Sequence, residues 1–294
     1  MRNLLVVTGG AGFVGFNLIL ELLKFKKFRI LSIDNYSSGY TKNHIKSKRV
    51  IYLKGNTKNI EILLKSYVNK IHTIFHFGEF ARIYQSFKKI DECFSSNIIG
   101  SSNVFNFALK NKIKLIYSAT SASLGNNGRD MNLSPYAFSK AKNLELLENL
   151  KKWFNFRYEV IYFYNVYGDR QISKGDMATV VGIFEDCFKT NKKIPVVRPG
   201  TQLRRFTHVY DTVRACIFAW RRNKCKHYSI ASKLSYSILE LANMFNSKIV
   251  YLPKREGERF ASALTEMNLS NKIIKLSAKI KLRDYIKNFL TNNR

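Results

Sequence analysis

Tyr136 and Lys140 are the residues of this chain whose types and spacing bear most directly on chemistry. They stand four apart in Ser134-Pro135-Tyr136-Ala137-Phe138-Ser139-Lys140, at the start of a helical stretch, and so fall on one helix face. An ammonium next to a phenol favours the phenolate and draws its pKa, about 10 in peptides, toward the range useful for general acid–base catalysis. Upstream, residues 117–125 offer Ser118, Thr120, Ser121 and Ser123, any of which could bridge the phenol and a reacting substrate oxygen. The same residues also fit an ordinary amphipathic helix and a polar turn bonded to its own backbone, so their meaning depends on the elements that hold them.

Those elements begin with Thr8-Gly9-Gly10-Ala11-Gly12-Phe13-Val14-Gly15, which follows the apolar run Leu4-Leu5-Val6-Val7 and opens a helical stretch over 13–23. Gly9, Gly12 and Gly15 clear side chains from a tight turn, from backbone N–H groups that must touch a pyrophosphate, and from the contact between helix and sheet. The helix N-terminus at Phe13 and Val14 then holds phosphate through its N–H groups and its dipole. Nineteen residues past Gly15, after a second apolar run, Asp34 stands where an acid accepts hydrogen bonds from an adenosine ribose. Strand, glycine turn, helix and acid at these distances predict dinucleotide binding, with NAD preferred over NADP because Asp34 would repel a 2′-phosphate. A positively charged nicotinamide near Tyr136 would further favour the phenolate.

Apolar runs predict strands at 28–33, 50–53, 73–77, 114–117 and 159–163, separated by helical stretches at 60–67, 87–110 and 136–154. Short buried strands alternating with helices give the fold class: α/β, a Rossmann-type doubly wound parallel sheet, with ligands beyond the carboxyl ends of the strands. The loops to search are 8–15, 34–39, 55–57, 78–82 and 118–125. From about Tyr164 the pattern loosens into a loop at Tyr167-Gly168-Asp169, a helix near 179–189, a strand at 194–197, a turn at Pro199-Gly200, a strand at 206–209 and a helix at 211–220. No repeat or low-complexity linker interrupts the chain. Residues 1–165, joined by 204–222, are therefore read as the dinucleotide-binding domain, and 166–294 as a smaller C-terminal α/β substrate lobe packed on it.

With 294 residues and 46% hydrophobic content, the chain can bury a large core and is not mainly disordered. Fifty Lys plus Arg against 20 Asp plus Glu leave +30, which favours polyanions in general. No basic-aromatic groove motif accompanies the charge, so nucleic acid is not an expected partner, while a membrane surface stays open to it. Cys93, Cys187, Cys216 and Cys225 lie far apart without a Cys-x-x-Cys, and His72 and His76 fall in the segment 71–77, which reads as a strand rather than a helix, so no metal site is expected. Scattered thiols fit a reducing, cytoplasmic setting. The apolar stretch 4–23 is broken by four glycines, Asn17 and Glu21, and is read as the nucleotide turn rather than a signal peptide or a transmembrane segment.

Taken together, the chain resembles the extended short-chain dehydrogenase/reductase superfamily, and within it the nucleotide-sugar epimerases of the UDP-glucose 4-epimerase type. The resemblance is carried by residues 8–15; Asp34-Asn35-Tyr36-Ser37-Ser38-Gly39; Phe75-His76-Phe77-Gly78; Asn97 with Gly100; the Thr120 region; 136–140; Tyr164-Asn165-Val166-Tyr167-Gly168; 200–211; and 253–258, from Pro253 to Glu258. It implies a tightly held NAD, with Tyr136 as the base, Lys140 as its activator and a ribose ligand, and Thr120 as the hydroxyl partner. It implies Asp34 with Asn35, Ser37 and Ser38 at the adenosine ribose, Asn56 with Thr57 near the adenine, and Phe77, Gly78 and Asn97 elsewhere along the cofactor. Asn165, Arg204 and Arg255 would then hold the nucleotide diphosphate, where a planar arginine fork matches phosphate oxygens. A homodimer through the helices at 87–110 and 136–154 comes with the resemblance, as does a place in carbohydrate metabolism, cell-surface polysaccharide synthesis in particular.

The chain also departs from the family. Asn56 replaces an Asp, though its carbonyl still accepts a hydrogen bond; Arg205 replaces an acid; Glu79 replaces a small residue near the nicotinamide; and Leu124 replaces a frequent Tyr. Tyr136 follows Thr120 by only sixteen positions, a shortening that trims one wall of the sugar pocket. The activity implied is that of a UDP-hexose 4-epimerase passing through a 4-keto sugar. A 4,6-dehydratase would carry carboxylates after Thr120, where Ser121 and Ala122 stand. A 4-reductase, a 4-dehydrogenase and an epimerase acting at another carbon remain as alternatives. A non-catalytic nucleotide or RNA binder on the same fold would have no use for Tyr136 and Lys140 together.

Overall fold

The computed structural model describes residues 2–257 and 273–293, with the backbone alone over 124–129. Glu258 and the Leu124 side chain, both named above, lie outside the described residues. Strands β1 (Leu4–Thr8), β2 (Arg29–Asp34), β3 (Val50–Lys54), β4 (Ile71–His76), β5 (Lys114–Thr120) and β6 (Tyr158–Phe163) stand in the order β6-β5-β4-β1-β2-β3. Each neighbouring pair is parallel. Parallel strands need a crossover between them, and these crossovers supply the helices that cover both faces. Side chains alternate accordingly. Leu4 and Val6 of β1 pack with Ile60, Leu64 and Phe105, while Leu5 and Val7 pack with Leu18 and Ile19 in a second core.

Helices α1 (Phe13–Leu22) and α2 (Ile60–Leu64) follow β1 and β3. The single helix expected over 87–110 is instead α3 (Ile83–Lys88), α4 (Ile90–Phe94), a π-helical stretch Ser95–Gly100 and α5 (Ser101–Lys110). Lys89, at φ −130° and ψ 52°, separates the first two. The wide turn carries Asn97 inward, where its fully buried amide accepts from the Phe80 N–H at 2.7 Å and donates to the Phe80 carbonyl at 3.0 Å. The π-turn therefore pins the loop after β4 to the helix layer. Helix α6 (Pro135–Phe154) starts where the Ser134 hydroxyl accepts from the Ala137 N–H at 3.1 Å with Pro135 in its first turn, and ends at Asn155 in the left-handed region, φ 52°.

The second part of the chain contains β7 (Val166–Tyr167), α7 (Val180–Lys189), β8 (Ile194–Val197), β9 (Leu203–Arg205), β10 (Thr207–His208), α8 (Val209–Arg222), β11 (His227–Ala231), β12 (Ser235–Ser237), α9 (Ile238–Asn243), β13 (Ile249–Leu252), β14 (Ile273–Ser277) and α10 (Leu282–Asn292). The strand expected at 206–209 stops at His208, whose ring nitrogen accepts from the Tyr210 N–H at 3.2 Å and so caps α8. Helix α8 buries Val209, Val213, Cys216 and Trp220 in the same core as α1. Strands β11 and β14 extend the central sheet in parallel as β14-β11-β6, so the sheet takes strands from the stretch read as the substrate lobe, beyond 204–222. What remains is a smaller lobe around a third core that includes Phe184, Ile194, Leu241, Phe245 and Ile286. Among the described residues no helix is long and apolar enough to cross a membrane.

Candidate active site

A cavity of about 510 Å³ runs along the carboxyl ends of the strands and into the smaller lobe. At one end lies the turn between β1 and α1. A Cβ at Gly15 would stand 2.1 Å from the Gly9 carbonyl oxygen, and one at Gly9, φ +72°, would stand 2.9 Å from the backbone of Phe77 and Gly78. Neither position has room for a side chain. Gly12 leads into α1 with no side chain capping the first turn, and Gly9, Gly12, Phe13, Val14 and Gly15 all line the cavity. The cradle is thus bare backbone at a helix N-terminus, the donor set that fits a pyrophosphate.

Asp34, at the end of β2, is 7% exposed and accepts from the Ala11 N–H at 2.9 Å and the Tyr36 N–H at 2.8 Å. Burial pushes its carboxyl above the ordinary range, opposed by those N–H donors. Its loop neighbours Asn35, Ser37 and Ser38 also line the cavity, as do Thr57, Phe77 and Gly78. Asn56 does not: its side-chain oxygen accepts from the Lys58 N–H at 3.0 Å and caps a short 3-10 turn. Asn97 is likewise outside the lining, committed to Phe80 and to the Ser139 hydroxyl at 3.1 Å.

Tyr136, Lys140 and Thr120 line the cavity, as do Asn165, Arg204 and Arg255. Thr120 closes β5 with its hydroxyl accepting from the Ala122 N–H at 3.1 Å. Asn165, at φ 30°, donates to the Arg205 carbonyl at 2.9 Å, which ties the end of β6 to β9. Arg255 lies over the Tyr84 ring at 5.1 Å.

Lys140 reaches this wall differently from the sequence expectation. Its ammonium forms an ion pair with Glu79, donates to the Ser118 carbonyl and lies 4.5 Å from the centre of the Tyr117 ring. Only 4% of the lysine side chain and 2% of the glutamate side chain are exposed. The other Glu79 oxygen accepts from the Ser101 hydroxyl at 2.9 Å, the Tyr117 hydroxyl at 3.0 Å and the Asn143 amide at 3.2 Å. Burial lowers the Lys140 pKa while Glu79 raises it, and burial pushes Tyr117 well up. Next to them, His76 is fully buried between Thr8 Oγ1 at 2.8 Å and Ser101 Oγ at 2.9 Å, and burial brings it down to about 4.

The sequence carries a sign of Glu79, a lone carboxylate in a loop at the carboxyl edge of the sheet. It carries none of Tyr117, Ser101 and Asn143, which are unremarkable residue types on separate elements. Arg82 is a second missed residue. Its guanidinium donates to the Ala81 carbonyl at 2.8 Å and, across the cavity, to the Met177 carbonyl, while Gln85 donates to Asp176 at 3.2 Å. The loop after β4 is thereby strapped to the segment that leads into α7.

Fold and cavity together define a protein that binds a dinucleotide across the carboxyl ends of a doubly wound sheet. The chain belongs to the NAD dependent epimerase/dehydratase family, whose sequence pattern matches residues 5–231, and NAD is the cofactor of that family. It is 25% identical over 271 residues to a putative UDP-glucose 4-epimerase of Methanocaldococcus jannaschii, covering 87% of each chain. It is 28% identical over 278 residues to the UDP-N-acetyl-alpha-D-glucosaminuronate decarboxylase of Bacillus cytotoxicus, covering 86% of this chain and 84% of that one. Its fold matches the UDP-glucose 4-epimerase of Thermus thermophilus solved with NAD, at a TM-score of 0.84 and 19% identity over 99% of both chains.

Proposed function

We propose that the protein is an NAD-dependent 4-epimerase of a nucleotide-linked hexose, most simply a UDP-hexose of the glucose/galactose type. The observation that carries this is that Tyr136 and Thr120 line one cavity together with the glycine cradle, Asp34, Asn165, Arg204 and Arg255. Asp34 holds the adenosine ribose and the N–H groups of the cradle hold the pyrophosphate. Arg204 and Arg255 hold the substrate diphosphate, and Asn165 orients it. Tyr136, as phenolate, takes the proton from the sugar hydroxyl at carbon 4 and later returns it, with the Thr120 hydroxyl bridging the two oxygens. Bound NAD supplies the hydride acceptor and donor. Ser121 and Ala122, which follow Thr120, offer no carboxylate for the elimination that a dehydratase performs.

A homodimer is part of the same reading. Phe87, Ile90 and Ile99 on the α3–α5 run and Trp153 and Phe154 at the end of α6 are exposed apolar side chains on the two segments that such a pairing would use.

The test is incubation with UDP-glucose or UDP-galactose, followed by proton NMR of the sugar. Inversion at carbon 4 is expected. A Tyr136→Phe variant is expected to retain NAD and lose about 10²–10⁴-fold in turnover, the usual span for a general acid–base group. Activity within a few-fold of the parent in that variant would remove Tyr136 from the reaction.

A further inference from the structure

Glu79 lines the same cavity as Tyr136, yet none of the roles above uses it. We propose that Glu79 is a positioning residue that fixes the Lys140 ammonium and offsets its charge, so that the acidity of Tyr136 is set by the pair rather than by the lysine alone. The inference rests on the reading of Tyr136 as the base.

Glu79 follows β4, Tyr117 lies in β5, Ser101 opens α5, and Asn143 and Lys140 lie in α6, so the carboxylate draws four donors from three elements besides its own loop. An ionised carboxylate has the lone pairs to accept from all four, and a buried one requires such partners. Two of the three ammonium hydrogens of Lys140 are then taken, by Glu79 and by the Ser118 carbonyl. The charged and titratable groups that act on the pair are His76 from β4, Cys93 from α4 and Tyr117 from β5, while Arg82 from the loop after β4 and Tyr117 act on Tyr136 of α6. Burial keeps His76 uncharged near neutral pH and pushes Cys93 up to about 11, so both are electrically silent there. Arg82 is a second cation within Coulomb reach of Tyr136 and is unaltered in every comparison below. A lone cation adjacent to an acid lowers its pKa by about one to three units, and a paired one acts as a dipole with a much weaker effect.

The experiment is a carbon-13 NMR titration of full-length protein labelled at tyrosine Cζ, with and without NAD, the Tyr136 signal being the one absent from Tyr136→Phe. Glu79→Gln keeps the shape and an acceptor oxygen but removes the charge, and is expected to lower the Tyr136 midpoint by about one unit. Lys140→Met is expected to raise it by a similar amount, and Glu79→Gln/Lys140→Met to return it to within about half a unit of the parent. The double variant buries no unpaired charge, so it remains readable if Lys140→Met fails to fold. A Glu79→Gln midpoint equal to the parent's, or a double variant that follows Lys140→Met upward, would overturn the proposal. The titration uses no sugar. Loss of the catalytic reading, seen as Tyr136→Phe turning over normally, is therefore distinguishable from loss of this one.

Discussion

His76 shows how far single side chains in this site depend on the state of their neighbours. Its two ring nitrogens are both engaged, by Thr8 and Ser101, and burial brings its pKa from 6.5 to about 4. The unfolded chain therefore takes up a proton near pH 6.5 that the folded chain refuses until about pH 4. The stability this confers is complete above the unfolded value and is lost as pH falls through that window, amounting to about 3 kcal/mol. Urea midpoints are expected to fall between about pH 7.5 and about pH 5, and to fall less steeply in His76→Gln. His72 and His208 are shifted in the same direction, so some slope persists. An equal slope in the variant would show that His76 does not carry it. At this scale the sequence is legible wherever spacing alone fixes geometry: a helix places residues four apart on one face, and Tyr136 and Lys140 both line the cavity. The partner of Lys140 is not legible, because Glu79 lies 61 residues away and the two meet only through the register of β4 and β5 and the packing of α6.

Among the elements, the turn from β1 into α1 tolerates least. A methyl group on Gly15 would press on the Gly9 carbonyl at 2.1 Å, a contact with backbone that no rotamer change relieves. Gly15→Ala is expected to weaken NAD binding at least tenfold, equivalent to about 1.4 kcal/mol, and to lower stability by about 1–3 kcal/mol. Calorimetric titration with NAD beside thermal unfolding checks both, and unchanged affinity would mean that the cradle is not the pyrophosphate site. Strands β1, β2 and β4 to β6 are legible because parallel strands buried on both faces read as short apolar runs, and the partly exposed edge strand β3 keeps enough of that run to be read with them. The break within 87–110 is not, since the π-turn answers to a buried partner, Phe80, rather than to a local breaker. The short edge strand β14 escapes notice for a related reason. Its residues are half-exposed, so neither a continuous apolar run nor a clean alternation marks it.

Over the whole molecule, the charge of +30 coexists with a cavity whose carboxylates, Asp34 and Glu79, are both buried. The excess of cations gives an anionic nucleotide a favourable approach while leaving recognition to a few placed groups. The exposed Trp153 and Phe154, with Phe87, Ile90 and Ile99, predict a dimer by sedimentation velocity. Trp153→Glu/Ile99→Glu is expected to shift the protein to monomers, and a parent that sediments as a monomer at micromolar concentration would contradict the pairing. Running the reaction on a UDP-hexose in heavy water with substoichiometric NAD shows whether one hydride leaves carbon 4 and returns to it while Tyr136 carries the proton. An inverted sugar with no deuterium at carbon 4 and no accumulation of NADH is expected. Deuterium at that carbon, or NADH formed in step with product, would contradict it.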